Sequence, residues 1–281
     1  FKEQKELEEL PITIANLEHE AQTLVGSGAQ LSAAHIGLAS DVRLPRDFSA
    51  LTGAVPDFSS FDAFKDSLSA AKDLITDPSD LFTSYSAAKG SAEEVAIGGA
   101  VSYFKAKNIA RTDVASGASL KTTDTSGTPW TAVLDGDDHA GDARERSFKA
   151  AADISATTDV TALHAAGDLA LKNLKTSNVG NGGAALGGSV GYMDYDNTAA
   201  AIVNDGVTID AGAGSIAVDA TNKETIVSLA LQSGSGGSIG VSGTASALDL
   251  DSRTLAGVSN RATLTASKIG ISANEDMFVW S

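Results

Sequence analysis

The 281-residue chain contains no cysteine and only five prolines. The absence of cysteine excludes disulfides, thiolate catalysis and cysteine-ligated metal centres. No proline follows Pro129, although the second half of the chain is rich in glycine and other turn residues. Because proline cannot donate a hydrogen bond to a neighbouring strand, this absence is typical of strands that are paired on both edges.

Aromatic residues make up only 5% of the chain, and no apolar run reaches the roughly 18 residues that a membrane-spanning helix needs. We therefore expect no membrane span. The formal net charge of −16 opposes binding to nucleic acid or to an anionic membrane. Glycine is abundant at 28 residues, and the hydrophobic 42% comes chiefly from small and branched side chains, which suit closely stacked strands.

A strand–corner–strand motif occurs near both ends of the chain. Residues 29–40 read AQLSAAHIGLAS and residues 262–273 read ATLTASKIGISA, and the two align without a gap. Identity falls on alternating apolar positions and on one glycine, Gly37 in the first copy and Gly270 in the second. Apolar residues at every second position predict half-buried strands.

Weaker copies lie between these two. Residues 206–220 follow the same template, residues 159–173 align with them without a gap, and residues 117–122 resemble half a copy. Residues 195–211 match residues 250–266 at an offset of 55, which becomes 53 between residues 215–220 and 268–273. A repeat of this size that contains several short strands predicts a solenoid.

The predicted fold class is all-β with a helical insertion, as a right-handed parallel β-helix. An antiparallel β-sandwich is the alternative, but the regularly spaced hairpin dipeptides of a sandwich are lacking. We expect a helical lead-in over residues 1–10, a β-helix rung over residues 11–42, a helical hairpin over residues 43–94 and β-helix repeats over residues 95–281. The first and last residues suggest a fragment of a longer rod.

The predicted hairpin contains five of the nine phenylalanines, and its apolar residues recur at about 3.6 positions. One stripe passes through Phe61 and Phe64, and the next passes through Phe82 and Tyr85. These four side chains are candidates for contact with a partner. The alternative is that they pack on each other or on the strands of the rod.

Residues 187–220 join a glycine-rich entry, NTAA at positions 197–200, DGV at 205–207 and an alternating IAVDA at 216–220. This pattern resembles the repeats of large bacterial filamentous adhesins of the leukotoxin type, which are akin to filamentous haemagglutinin. The resemblance covers roughly residues 96–281 and extends more weakly to residues 12–40. It implies a secreted or cell-surface rod, and it names no ligand and no catalytic residue.

Two groups of acidic residues are candidates for calcium. Asp135, Asp137, Asp138 and Asp142 resemble the start of a calcium loop, but His139 stands where Asp or Asn is needed and no Glu occupies the twelfth position. A surface loop is the alternative. The second group consists of the pairs Asp194 with Asp196 and Asp249 with Asp251. Because these pairs recur at the repeat offset, they are better explained as a solvated outer face.

The expected function is structural and adhesive, without enzymatic activity and without a cofactor. We expect an extracellular location at a bacterial surface, with reach and display for cell or matrix contact. The expected partners are other copies, the rest of a longer chain, a host or partner cell surface, or a polysaccharide. The rival is a carbohydrate-active β-helix enzyme, a lyase or a glycosidase, which would need a non-repeated charged cluster. Arg144 and Arg146 are candidates for contact with a sulfated or acidic sugar, but we expect them to pair with their neighbours Asp142 and Glu145. His35 and His164 are expected to fill surface positions.

Overall fold

The computed structural model describes residues 12–44, 84–86, 95–124, 129–134, 144–166, 184–230 and 239–280. All regular elements in these ranges are β-strands. They are β1 (Ile12–Val25), β2 (Gln30–Ala33), β3 (Ile36–Leu44), β4 (Ser84–Ser86), β5 (Val95–Val114), β6 (Ser119–Thr122), β7 (Trp130–Leu134), β8 (Arg144–Phe148), β9 (Ala152–Ala166), β10 (Ala184–Val203), β11 (Thr208–Asp210), β12 (Ser215–Ala230), β13 (Ile239–Val258), β14 (Thr263–Thr265) and β15 (Lys268–Trp280).

Three parallel sheets contain all but two of these strands. Sheet A has the order β1-β5-β10-β13, sheet B has β2-β6-β11-β14, and sheet C has β3-β9-β12-β15 with β4 on the β3 edge of β9. The chain passes from sheet A to B to C four times in that order. Within the described ranges only β7 and β8 pair antiparallel. The all-β prediction is confirmed, and parallel pairing rules out the antiparallel sandwich.

The strand register confirms the repeat offsets read from the sequence. β10 pairs with β13 at 55 residues, and β12 pairs with β15 at 53 residues. The copies at residues 29–40 and 262–273 occupy equivalent positions in neighbouring repeats. In sheet B, for example, one row of paired residues runs through Leu31, Leu120, Ile209 and Leu264. A second offset of 89 residues joins β1 to β5 and β5 to β10.

The alignment of residues 159–173 with residues 206–220 is wrong. Val160 pairs with Glu224, whereas Ala152 and Ile154 occupy the places opposite Ile216 and Val218. The true copy is split between β6 and β9 because the chain leaves the sheets after Thr122 and returns at Ala152. The β7–β8 hairpin lies in this interruption, which an ungapped alignment cannot accommodate.

Among the described residues, two apolar clusters lie in the core, and the inward side chains of the parallel strands supply both. The larger lies where sheets A, B and C meet, and includes Val114, Leu120, Val203, Ile209, Ile216 and Val218. The smaller lies between the first half of sheet A and the second half of sheet C, and includes Phe104, Met193, Tyr195, Val160 and Ile226. A layer of buried polar side chains separates them, with Asn108, Asn197, Asn222 and Glu224 at its centre.

The predicted helical hairpin over residues 43–94 lies mainly outside the described residues, as do residues 1–10 and the side chains of Phe61, Phe64, Phe82 and Tyr85. Where the structure describes it, the backbone is extended. β3 continues to Leu44, and β4 pairs in parallel with His164–Ala166, beyond the part of β9 that β3 covers. A helix through Tyr85 is therefore wrong, because pairing with the free edge of β9 determines the local structure. Among the described residues no helix could cross a membrane.

Candidate functional site

A polar groove of about 540 Å³ lies on the outer face of sheet C. Three strands supply its floor through side chains at alternate positions, and the β8 segment supplies one wall. The lining residues are Asp41 and Arg43 from β3, Asp153, Ser155 and Thr157 from β9, Asp219 and Thr221 from β12, with Arg146, Ser147 and Lys149 from and after β8. Its volume falls within the range of about 300–1,000 Å³ that is typical of ligand sites.

The β7–β8 hairpin is held against sheet C by stacked rings. Trp130 stacks on Phe148 with centroids 4.4 Å apart and on His35 at 4.8 Å, and its indole N–H donates to the carbonyl of Ala150 at 2.8 Å. Gly37 lies beneath the Phe148 ring. A Cβ at Gly37 would stand 2.5 Å from Phe148 Cε1, so glycine is what allows the ring to lie on β3.

Arg146 connects the hairpin to the floor of the groove. Its guanidinium donates to the Asp41 carboxylate and, through Nη2, to Ser155 Oγ at 3.1 Å, and it lies over the Phe148 ring. Burial lowers the pKa of Arg146, although an arginine side chain stays protonated in proteins. The expected pairing with sequence neighbours is wrong for Arg146, whose partner Asp41 is 105 residues away.

Two further carboxylates lie in the floor. Asp153 is only 3% exposed and accepts the backbone N–H of Lys149 at 2.8 Å. Burial raises the pKa of Asp153 above the ordinary aspartate value. Asp219 accepts a hydrogen bond from Ser272 Oγ. The floor therefore holds carboxylate oxygens in fixed positions, which suits ligands that donate hydroxyl or N–H groups.

Two cations stand at the rim with donors to spare. Arg43 Nη2 lies 3.6 Å from Asp41 Oδ2, and Lys149 Nζ lies 3.8 Å from Asp219 Oδ2. At these distances the charged groups form ion pairs, but the distances exceed the length of a hydrogen bond. The two side chains are 58% and 76% exposed. Both cations can therefore reach a ligand in the groove.

The acidic residues singled out in the sequence lie elsewhere. Asp135, Asp137, Asp138 and Asp142 fall outside the described residues. Asp194 and Asp196 lie on sheet A directly beside Asp249 and Asp251 in strand register. Lys105 Nζ donates to Asp194 at 2.6 Å, and the Tyr192 hydroxyl donates to Asp249 at 3.3 Å. Within the described ranges no group of three or more acidic or histidine side chains is arranged to hold a metal ion.

The polar layer in the core is a site that sequence reasoning missed. Asn108 Nδ2 donates to Asn197 Oδ1 at 2.7 Å, and Asn197 Nδ2 donates to Glu224 Oε1 at 2.9 Å. The 89-residue spacing of the two asparagines was the available signal. His164 also contradicts its assignment as a surface residue, since it is buried with Nε2 2.6 Å from the Tyr195 hydroxyl oxygen.

Comparison of the chain with family models, curated proteins and solved structures gives no match. The similarity to filamentous adhesins therefore stays a prediction from the repeat pattern.

Proposed function

We propose that the chain is a structural and adhesive segment of a large secreted or surface-anchored bacterial filament, built as a right-handed parallel β-helix. Each passage through sheets A, B and C would be one coil. The observation that carries the proposal is the shared register of all four passages. Right-handedness is the expected hand because crossovers between parallel strands are right-handed in about 98% of cases.

Stacking explains why such a chain would serve as a rod. Each coil buries its apolar columns against the next, so stability accumulates along one axis and a longer protein gains length without a new core. Successive coils lie about 4.8 Å apart. The net charge of −16 keeps the outer surface solvated and discourages association with nucleic acid. Reach and display are the functions that this geometry serves best.

Surface location tests the proposal directly. Antibodies raised against the purified chain should label intact cells of the bacterium that produces the protein, and brief protease treatment of those cells should remove the label. Beads coated with the chain should adhere to host cells or extracellular matrix more than beads coated with albumin. Labelling that appears only after permeabilisation would overturn the proposal, and a strain that lacks the gene is the control.

One observation favours the enzymatic alternative. Asp153 is a buried carboxyl with a raised pKa in a groove, the environment that can tune an acid for glycoside chemistry. The test is release of new reducing ends from a panel of polysaccharides by the purified chain. Activity that disappears in Asp153→Asn would establish the carbohydrate-active enzyme in place of the purely adhesive segment.

A further inference from the structure

We propose that the groove on sheet C binds an acidic oligosaccharide of the uronate type, whose carboxylates contact Arg43 and Lys149. This inference rests on the proposed function, because it supplies the chemical class of ligand that a surface rod would contact. It concerns a different property, however, and it can fail while the surface location holds.

Charge distinguishes the groove from the rest of the molecule. The chain has 20 Lys and Arg residues against 36 Asp and Glu residues. The lining of the groove contains three cations and three carboxylates, so it is formally neutral. An acidic ligand is repelled by most of the protein surface. Specific binding of such a ligand therefore requires a place where cations balance the carboxylates, as they do in this groove.

The rim cations are the groups that would meet the ligand. Asp41 already accepts a hydrogen bond from Arg146, and Asp219 already accepts one from Ser272. The contacts of Arg43 and Lys149 with these carboxylates are longer than hydrogen bonds. Both side chains line the groove and are more than half exposed, so their N–H groups retain unused donor capacity. A charge-assisted hydrogen bond to a ligand carboxylate would use that capacity.

Between the rim cations, the groove presents groups that suit a polyhydroxylated ligand. Thr157 and Thr221 offer hydroxyls that both donate and accept, and Asp219 offers carboxylate oxygens. The groove crosses β3, β9 and β12, so its floor spans about 10 Å at the usual separation of paired strands. A groove of this width suits a short run of sugar rings better than a single small anion.

The fixed carboxylates also define what the groove should reject. Asp153 is buried and hydrogen-bonded, and Arg146 is held by both Asp41 and Ser155. A ligand with several charges on each sugar ring would place anionic groups against the carboxylates in the floor without a compensating cation. A sugar chain with hydroxyls between its carboxylates avoids that repulsion.

The test uses the purified chain and galacturonate tetrasaccharide, followed by isothermal titration calorimetry at low salt. We expect saturable binding that weakens at least tenfold in the double variant Arg43→Gln/Lys149→Gln, since each lost hydrogen bond to a charged group is worth about a factor of ten. Lys121→Gln is the matched control, because Lys121 is exposed on β6 in a different sheet. Galactose tetrasaccharide tests whether the carboxylates are needed for binding. Monomeric galacturonate tests whether the length of the sugar chain is needed.

Each other outcome overturns the inference. Equal binding of the uncharged tetrasaccharide would reject the acidic class, and equal binding of the monomer would reject the oligosaccharide. Equal losses in the double variant and in Lys121→Gln would show non-specific charge attraction. Absence of binding at millimolar ligand would remove the site. None of these results affects surface labelling of intact cells, so failure of the ligand and failure of the filament proposal are distinguishable.

Discussion

Arg261 adopts the same left-handed backbone conformation as Gly206, which occupies the equivalent turn position one repeat earlier. Their φ angles are 59° and 69°, and Gly28 and Gly117 have 70° and 74° at the same position of the earlier turns. The amide N–H of Gly206 donates to the carbonyl of Asn260 at 3.2 Å, so the turns stack in register. Arg261 forms an ion pair with Asp205 of the preceding turn, and this contact offsets part of the strain.

This turn position should tolerate glycine and reject branched side chains. We expect Gly206→Val to lower the free energy of unfolding by about 1–2 kcal/mol, which is the usual cost of a left-handed residue with a Cβ. Space is not the cause, since the nearest atom to such a Cβ is Gly117 N at 4.0 Å. Arg261→Gly should change stability little, because relief of strain is opposed by loss of the ion pair and by a freer unfolded chain.

Urea denaturation followed by circular dichroism measures these effects. Gly26→Ala is the control, because Gly26 lies in the first of these turns without a positive φ and a Cβ there would have nothing within 4 Å. A loss in Gly26→Ala as large as that in Gly206→Val would contradict the assignment of the cost to backbone conformation.

Gly37 and Gly270 occupy the same register column of sheet C but should respond differently to alanine. A Cβ at Gly37 would collide with the Phe148 ring, whereas a Cβ at Gly270 has nothing within 4 Å. Gly37→Ala should therefore destabilise by about 1–3 kcal/mol, as overpacking does, and displace the Trp130 ring that stacks on Phe148. Gly270→Ala should leave both unchanged.

Tryptophan fluorescence in a Trp280→Phe background reports on Trp130 alone, because these are the only two tryptophans. We expect a shifted emission maximum in Gly37→Ala and none in Gly270→Ala. Identical spectra for the two variants would mean that the β7–β8 hairpin does not depend on the gap above Gly37.

The features that could be predicted from the sequence are the local ones. Alternating apolar residues predicted the strands around Leu31, Ile209 and Leu264, and the 55- and 53-residue offsets predicted how the last two repeats align. Both signals are contained in the sequence of a single strand or of a single repeat. The 3.6-residue spacing near Tyr85 was equally clear, but a free edge on β9 overrode it. Tertiary pairing of this kind leaves no local signal in one sequence.

The groove was harder to predict for the same reason. Arg146 and Asp41 are separated by 105 residues, and the interruption that brings them together breaks the repeat. The polar ladder was more accessible, because Asn108 and Asn197 are joined by the same 89-residue offset that relates β5 to β10. Finding that offset in the sequence would have placed both asparagines in one inward column.

Glu224 should make the stability of the protein dependent on pH. Its Oε1 accepts hydrogen bonds from Asn197 Nδ2 and Ser252 Oγ, each at 2.9 Å, whereas Oε2 is buried without a partner among the described residues. Burial raises the pKa of Glu224 above the ordinary glutamate value. The folded protein therefore binds this proton more tightly than the unfolded chain does, and the contribution of Glu224 to stability falls as pH rises from the ordinary pKa to the folded pKa.

Glu224→Gln keeps an acceptor at the same place and removes the charge. We expect the variant to be more stable than the wild type at pH 7 by about 1 kcal/mol, or roughly 2–4 °C in Tm, and to lose that advantage at about pH 4. Glu20→Gln, at an exposed position on β1, is the control and should show no such crossover. A destabilised Glu224→Gln at pH 7 would show that the carboxylate is required in its charged form.

Replacing a buried isoleucine and a half-exposed isoleucine of sheet C should destabilise the protein to different degrees. Ile154 and Ile271 lie in the same column of sheet C, with Val218 between them. Ile154 is fully buried because strands lie on both sides of it, whereas Ile271 is 50% exposed because β15 is the edge of the sheet among the described strands. Ile154→Ala should cost about 2–5 kcal/mol, the usual range for a buried isoleucine. Ile271→Ala should cost less than half as much, since its site is open on one side and water can fill the space.

Equilibrium unfolding of both variants at several protein concentrations measures the two losses in free energy of unfolding. Equal costs that persist at the lowest concentration would mean that Ile271 is covered within the chain and that sheet C does not end at β15. Equal costs that appear only at high concentration would mean that a second copy covers the open edge, in which case dilution should restore the difference between the two isoleucines.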